Sequence, residues 1–367
     1  MLPEPEPEAL AASGALLQRI RRELADSGNW IGFARYMELA LYEPGLGYYA
    51  GGAAKLGAPG DFATAPELGT LYARTLARQV AELLQPGESI LEFGAGSGAL
   101  AEALIAELSP EHYLILETSA ELRARQEARL GARARWIERL PERFRGVMLA
   151  NEVADAMPVH AVAWRAGGVM ERGVTAADGS LAWAERPASG ELLAAARSIE
   201  VPVPYESEIG LVARAWMKLL AARLERGALL VVDYGFPRRE YYHPQRAMGT
   251  LMCHYRHRAH GDPFFHPGLQ DITAHVDFSA LAAAARDGGL EVLGFASQAQ
   301  FLVNCGITGV LEREDIANVA RYAPQAAQAQ KLLSPAEMGE IFKVLAVGRG
   351  VSLPLLGFAQ GDRTHTL

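Results

Sequence analysis

Apolar and polar positions follow two rhythms along this chain, one near helical periodicity and one of period two, and their order predicts an α/β protein. Leu16, Leu17, Ile20 and Leu24 recur among charged residues over 10–27, which predicts a surface helix. Residues 68–84 repeat the helical spacing and run into Pro86-Gly87, a stop signal ahead of an apolar run. The rhythm then switches regularly: strand 89–93, helix 99–108, strand 113–117, helix 120–130 and strand 146–150. Strands separated by helix-length segments need crossovers, and right-handed crossovers lay them parallel with their carboxyl ends on one edge. ALLVVD at 228–233 is apolar nearly throughout, as a strand covered on both faces must be. Helix 278–287, strand 290–295, a mainly helical 310–333 and strand 341–349 complete the pattern.

Other stretches break it. Residues 30–50 are dense in aromatics, which serve core packing first and a lid second, and 51–67 are rich in glycine and proline. Short alternating runs at 159–183, punctuated by Ala166-Gly167-Gly168 and Asp178-Gly179, predict a small antiparallel elaboration. Residues 206–226 read as helix, and 237–272 hold too many Gly, Pro, His and aromatic residues for a regular element, so an ordered loop is expected. A chain of 367 residues exceeds one ordinary domain. The expected division is an N-terminal helical segment with a loop over 1–85, a core from 86–158, 227–300 and 335–350, and inserted elements at 159–226, 236–277 and 301–334.

Bulk properties narrow the partners. Acidic residues outnumber basic ones, 43 to 35, for a net charge of −8, which gives no general attraction for nucleic acid or anionic membrane. Two cysteines, Cys253 and Cys305, supply neither a disulfide framework nor a four-thiolate zinc site. The start MLPEPEPEAL resembles neither a secretory signal nor a transit peptide, and no apolar run reaches membrane-span length, so a cytoplasmic, bacterial-type protein is expected. A homodimer is permitted by these properties and not required by them.

The chemistry concentrates in SILEFGAGSG, residues 89–98. Gly94, Gly96 and Gly98, with Ala95 and Ser97 between them, allow a tight strand-to-helix turn with no Cβ to block a ligand lying on the backbone. Glu117, followed by Thr118 at the end of the next strand, suits the two hydroxyls of a ribose. A plain βα turn without ligand, or a dinucleotide site, would use similar glycines. However, Glu92 is ill placed beside a pyrophosphate and well suited to an amino group and a sulfonium, which favours S-adenosyl-L-methionine, with S-adenosyl-L-homocysteine as product. Asn151, Glu152 and Asp155 follow the strand at 146–150, where they either cap a helix or meet a methyl acceptor. A guanidinium would need a carboxylate to hold it and take its proton, a role open to Glu152 and Asp155, with Tyr234 and Asp233 as further candidates. His254, His257 and His260 recur every three residues, but Arg256 and Arg258 interrupt them and no metal is expected.

Taken together, FARYMELALYEPGLGYY, GDFATAPE, EFGAGSG, NEVADAMP, DYG and QDITAHVDF resemble the MidA-like class I S-adenosylmethionine-dependent methyltransferases, once called domain of unknown function 185. The resemblance spans nearly the whole chain. It implies a Rossmann-like, mostly parallel seven-stranded sheet flanked by helices, with an N-terminal helical and aromatic segment and an inserted second lobe. It implies cofactor binding by Glu92, Gly94–Gly98, Glu117, Thr118 and Asn151, with Thr64, Pro66 and Glu67 of the GDFATAPE loop helping to enclose the ligand. Mitochondrial members methylate an arginine of a respiratory complex I subunit and assist its assembly, so the resemblance implies a protein substrate; an assembly chaperone with a regulatory pocket and a small-molecule methyltransferase are the alternatives. Val153-Ala154 stands where the family often has an aromatic pair, which alters the acceptor-facing surface.

Overall fold

The computed structural model describes residues 2–51, 65–313 and 318–367, apart from the side chain of Arg321. These residues fall into two compact units. One takes in the described residues of Ala63–Ala154, Ala215–Pro237 and Phe278–Leu367; the other takes in those of Met1–Phe62, Asp155–Arg214 and Arg238–Asp277.

The first of these units is built on seven strands: β1 (Ser89–Phe93), β2 (His112–Leu116), β3 (Arg135–Trp136), β4 (Phe144–Asn151), β5 (Leu224–Phe236), β6 (Glu291–Ser297) and β7 (Phe342–Arg349). They lie in the order β3-β2-β1-β4-β5-β7-β6. All are parallel except β7, which runs antiparallel to both β5 and β6. The chain winds outward from β1 through β2 to β3, then resumes at β4 on the other side. This reversal opens a crevice at the carboxyl ends of β1 and β4, where ligands of such sheets bind.

The sequence explains the sheet. β1 after Ser89 and β5 over Gly227–Asp233 are buried at every position, as two covered faces require. Helix Thr70–Leu83 turns Leu71, Tyr72, Leu76, Val80 and Leu83 into a core shared with Ile90, Ile115, Val147 and Leu149. At the amino edge Gly146 and Gly227 allow the strands to close: a Cβ there would stand 2.0 Å from Ser89 O and 1.8 Å from Gly146 O. The fold is the expected class I methyltransferase sheet. Only β3 was not predicted, since two residues carry no readable alternation.

The other unit holds an antiparallel sheet of Ile31–Gly32, Gly168–Ala177, His160–Arg165 and Tyr205–Ile209, with Ser180–Pro187 paired to Gly168–Ala177. The hairpin closes on Asp178 and Gly179 at φ 48° and 79°, the left-handed pair that an Asp-Gly turn supplies. Helices Pro7–Asp26 and Phe33–Tyr42 bury Leu16, Ile20, Leu24, Phe33, Tyr36 and Met37 against Val159 and Val174, so most of the aromatic segment is core. Each such fully buried side chain contributes about 1.5–3 kcal/mol.

Two expectations are corrected. The helix expected at 206–226 is a strand, Tyr205–Ile209, then helix Leu211–Arg223 and the start of β5. The stretch expected as a loop contains helix Arg238–Tyr241 and a small sheet of Arg258–His260, Met252–Tyr255 and Asp271–Thr273. Its strands are too short, and too rich in histidine and arginine, to show period two. The hairpin also separates the histidines. His260 faces Cys253 across the pairing, His254 is one residue on and therefore on the opposite face, and His257 sits in the turn at φ 63°. Among the described residues no three His, Cys, Asp or Glu side chains are grouped to hold a metal ion, and no helix is long and apolar enough to cross a membrane.

Candidate active site

The turn after β1 is left-handed at Gly94, Gly96 and Gly98, with φ of 57°, 54° and 81°. Successive L side chains would be strained there. The Gly94 amide donates to Leu116 O at 3.0 Å, tying the turn to the end of β2, and Gly98 begins helix Ala99–Leu108. Gly94 stays exposed whereas Ala95 and Gly98 are buried, so the loop shows backbone on one side and anchors itself on the other.

Two carboxylates flank this turn. Glu92, only 2% exposed within β1, accepts from Tyr113 Oη at 2.6 Å. Burial pushes its pKa up to about 7; the Tyr113 hydrogen bond opposes the rise and the charge of Glu117 adds to it. Glu117 accepts from the Ser119 amide and from Gln126 Nε2, both at 2.9 Å, and burial raises its pKa as well. Thr118 beside it is exposed. Gln126 carries no signal in the sequence, where it is one polar residue of a charged helix. It is fully buried, donates to Gly96 O at 2.9 Å as well as to Glu117, and accepts from Trp136 Nε1 at 2.9 Å. One side chain thus fixes the glycine turn and the second-strand acid relative to each other.

Of the GDFATAPE loop, Thr64 and its four predecessors lie outside the described residues. Pro66 and Glu67 form the short 3-10 turn Ala65–Leu68. Ser97 Oγ donates to Glu67 and accepts from Arg129 Nη1, so Glu67 reaches the glycine turn.

At the end of β4 the side chains of Asn151 and Glu152 meet, Nδ2 donating to Oε1 at 3.2 Å. Tyr72 Oη reaches Asn151 Oδ1 at 2.6 Å. Glu152 has a φ of 54°, unusual for a residue with a Cβ, and its amide donates to Val232 O at 2.8 Å on β5. Asp233 is fully buried, with its carboxylate accepting from the Ala154 and Tyr234 amides at 2.9 Å each. That arrangement makes it a clamp on the post-β4 turn. Tyr234 is half-buried, edge-on to Phe342 at 5.5 Å. Asp155 belongs to the other unit, where it is buried and its carbonyl accepts from the Ala274 amide at 3.0 Å.

A buried acid in β1, a left-handed glycine turn and an anchored acid after β2 lie at the switch point of a class I methyltransferase sheet. Residues 71–296 match the family described as "Putative S-adenosyl-L-methionine-dependent methyltransferase", and the chain belongs to that family. It is 28% identical to the protein arginine methyltransferase NDUFAF7 homolog, mitochondrial, of Drosophila melanogaster, over 97% of this chain and 91% of that protein. The Homo sapiens protein arginine methyltransferase NDUFAF7, mitochondrial, is 26% identical over 90% of this chain and 83% of its own. Among solved structures, a COG1565 superfamily member from Burkholderia thailandensis bound to S-adenosyl-homocysteine superposes with a TM-score of 0.97 at 51% identity, covering 100% of both chains.

Proposed function

We propose that this methyltransferase acts on an arginine side chain of a partner protein, with Glu152 as the carboxylate that receives it. Glu92, Gly94–Gly98 and Glu117 form the cofactor side: the turn offers bare backbone, Glu117 and Gln126 form a fixed acceptor for ribose hydroxyls, and buried Glu92 awaits a cationic group. Bound S-adenosyl-L-methionine supplies an electrophilic methyl group. The observation that carries the acceptor reading is the left-handed Glu152 at the carboxyl end of β4, hydrogen-bonded through Asn151. A carboxylate held there can pair with a guanidinium through charge-assisted hydrogen bonds. As a guanidino nitrogen takes the methyl group it sheds a proton, and Glu152 accepts it. The arginine methyltransferase names of the relatives support the same acceptor class, and the family resemblance of the sequence blocks implies a respiratory complex I subunit as the partner.

Proteomic mass spectrometry of cells with and without this gene tests the acceptor: a methylarginine peptide that disappears with the gene supports it, and a change confined to small metabolites rejects it. Glu152→Gln is expected to keep S-adenosyl-homocysteine binding while the rate of methylation drops about a hundredfold or more. Unchanged turnover would remove Glu152 from the mechanism.

A further inference from the structure

Helix Thr70–Leu83 brings Tyr72, 1% exposed, to the loop after β4. Its hydroxyl lies 2.6 Å from Asn151 Oδ1, and Asn151 Nδ2 lies 3.2 Å from Glu152 Oε1. Donor chemistry allows one order of these bonds. An ionised Glu152 can only accept, so the Asn151 amide must present its NH2 side to it. The carbonyl side is then left for Tyr72, whose hydroxyl must donate. Burial first, and the charges of Glu152 and Glu92 after it, push the Tyr72 pKa far above its ordinary value, so the donating proton stays in place.

The backbone of Glu152 is already fixed by its left-handed φ and its amide bond to Val232 O. Its side chain is met separately, at Oε1, by Asn151 Nδ2. Asn151 restrains that side chain only while its amide is held the right way round; turned over, the amide would set Oδ1 against the carboxylate and repel it. Nothing in the sequence marks Tyr72, one apolar-face residue of an ordinary amphipathic helix.

We infer that Tyr72 is a positioning residue for methyl transfer, orienting Glu152 through Asn151. The inference rests on the reading of Glu152 as the acceptor-side carboxylate, and the experiment separates the two. The probes are S-adenosyl-homocysteine and sinefungin, which carries an amine where the sulfonium methyl stands; calorimetry on the full chain gives the ratio of their affinities. Glu152→Gln is expected to lower sinefungin affinity about tenfold relative to S-adenosyl-homocysteine, because a charge-assisted hydrogen bond is lost. Tyr72→Phe, which keeps the ring in its packing, is expected to lower the ratio by about threefold to tenfold while S-adenosyl-homocysteine binding stays within about twofold. Asn151→Asp, which keeps an acceptor for Tyr72 but sets a like charge beside Glu152, should lower the ratio at least as far. Adding Tyr72→Phe to Asn151→Ala should change nothing more, as expected for residues acting in one chain.

If Glu152→Gln lowers the ratio and Tyr72→Phe leaves it alone, the relay is overturned and the reading of Glu152 stands. If Glu152→Gln leaves the ratio alone, both fall. Equal losses for the two ligands in Tyr72→Phe would make the hydroxyl merely structural and also overturn the relay.

Discussion

Glu92 is buried in β1 with the Tyr113 hydroxyl on its carboxylate, and burial pushes its pKa up to about 7. A carboxyl whose folded pKa exceeds its unfolded value keeps its proton longer in the folded chain. Its ionisation therefore subtracts stability as pH rises from about 4.5 to about 7, and the whole penalty, about 3 kcal/mol, stands above that window. Glu92→Gln is expected to raise the thermal midpoint at pH 8 and to leave it nearly unchanged at pH 4.5. The same substitution should weaken S-adenosyl-L-methionine binding and flatten its pH dependence, whereas the native chain binds more tightly as pH rises from 6 to 8. Titration calorimetry across that range, alongside thermal melts, checks both halves; a stabilised variant that binds as well as the native chain would show that the buried charge serves no ligand. Glu92 was legible because it stands two residues before the first glycine. Gln126 and Tyr72 were not, because glutamine and tyrosine are unremarkable on a helix until packing brings them 30 and 79 residues along the chain to Gly96 and Asn151.

The turn between β1 and helix Ala99–Leu108 was readable from its spacing, since three alternate glycines have few uses other than a left-handed turn. Gly96→Arg places a bulky charged side chain at a φ of 54° in that turn. The backbone strain is about 1–2 kcal/mol, which a folded domain survives, so far-ultraviolet circular dichroism should stay native. Calorimetric heat with S-adenosyl-homocysteine should disappear. Retained heat would move the cofactor off the glycine turn. The neighbouring element, the turn after β4, was read only in part. NEVAD stood out as polar residues after an apolar strand, yet the division of labour between Glu152 and Asp233 became visible only with β5 alongside, where both Asp233 oxygens take backbone amides. Asp155, three residues past Glu152 and grouped with it by sequence, is carried into the other unit. The small sheet at 252–273 escaped notice because its strands are three or four residues long and are held by pairing partners rather than by an alternating pattern.

Across the whole molecule each unit is assembled from three stretches of chain, and the proposed cofactor residues, Glu67, 92–98, Glu117, Gln126 and Asn151, all fall within one stretch, Ala63–Ala154, of the unit built on β1–β7. That placement makes ligand protection a test of the site as a whole. Saturating S-adenosyl-homocysteine at about 100 times its dissociation constant stabilises the binding-competent state by about 2.7 kcal/mol, enough to slow local opening roughly a hundredfold wherever opening releases ligand. Hydrogen exchange is therefore expected to slow at residues 94–98, in the turn after β2 and in the turn after β4. The amides of strands Gly168–Ala177 and Ser180–Pro187, which belong to the other unit's sheet, should exchange as they do without ligand. Protection concentrated in those two strands would place the cofactor elsewhere, and would remove the ground for giving Glu152 the acceptor. Protection following the β1, β2 and β4 turns together would tie the buried acid, the glycine turn and the Gln126 anchor to one ligand, because no single one of them touches all three strand ends.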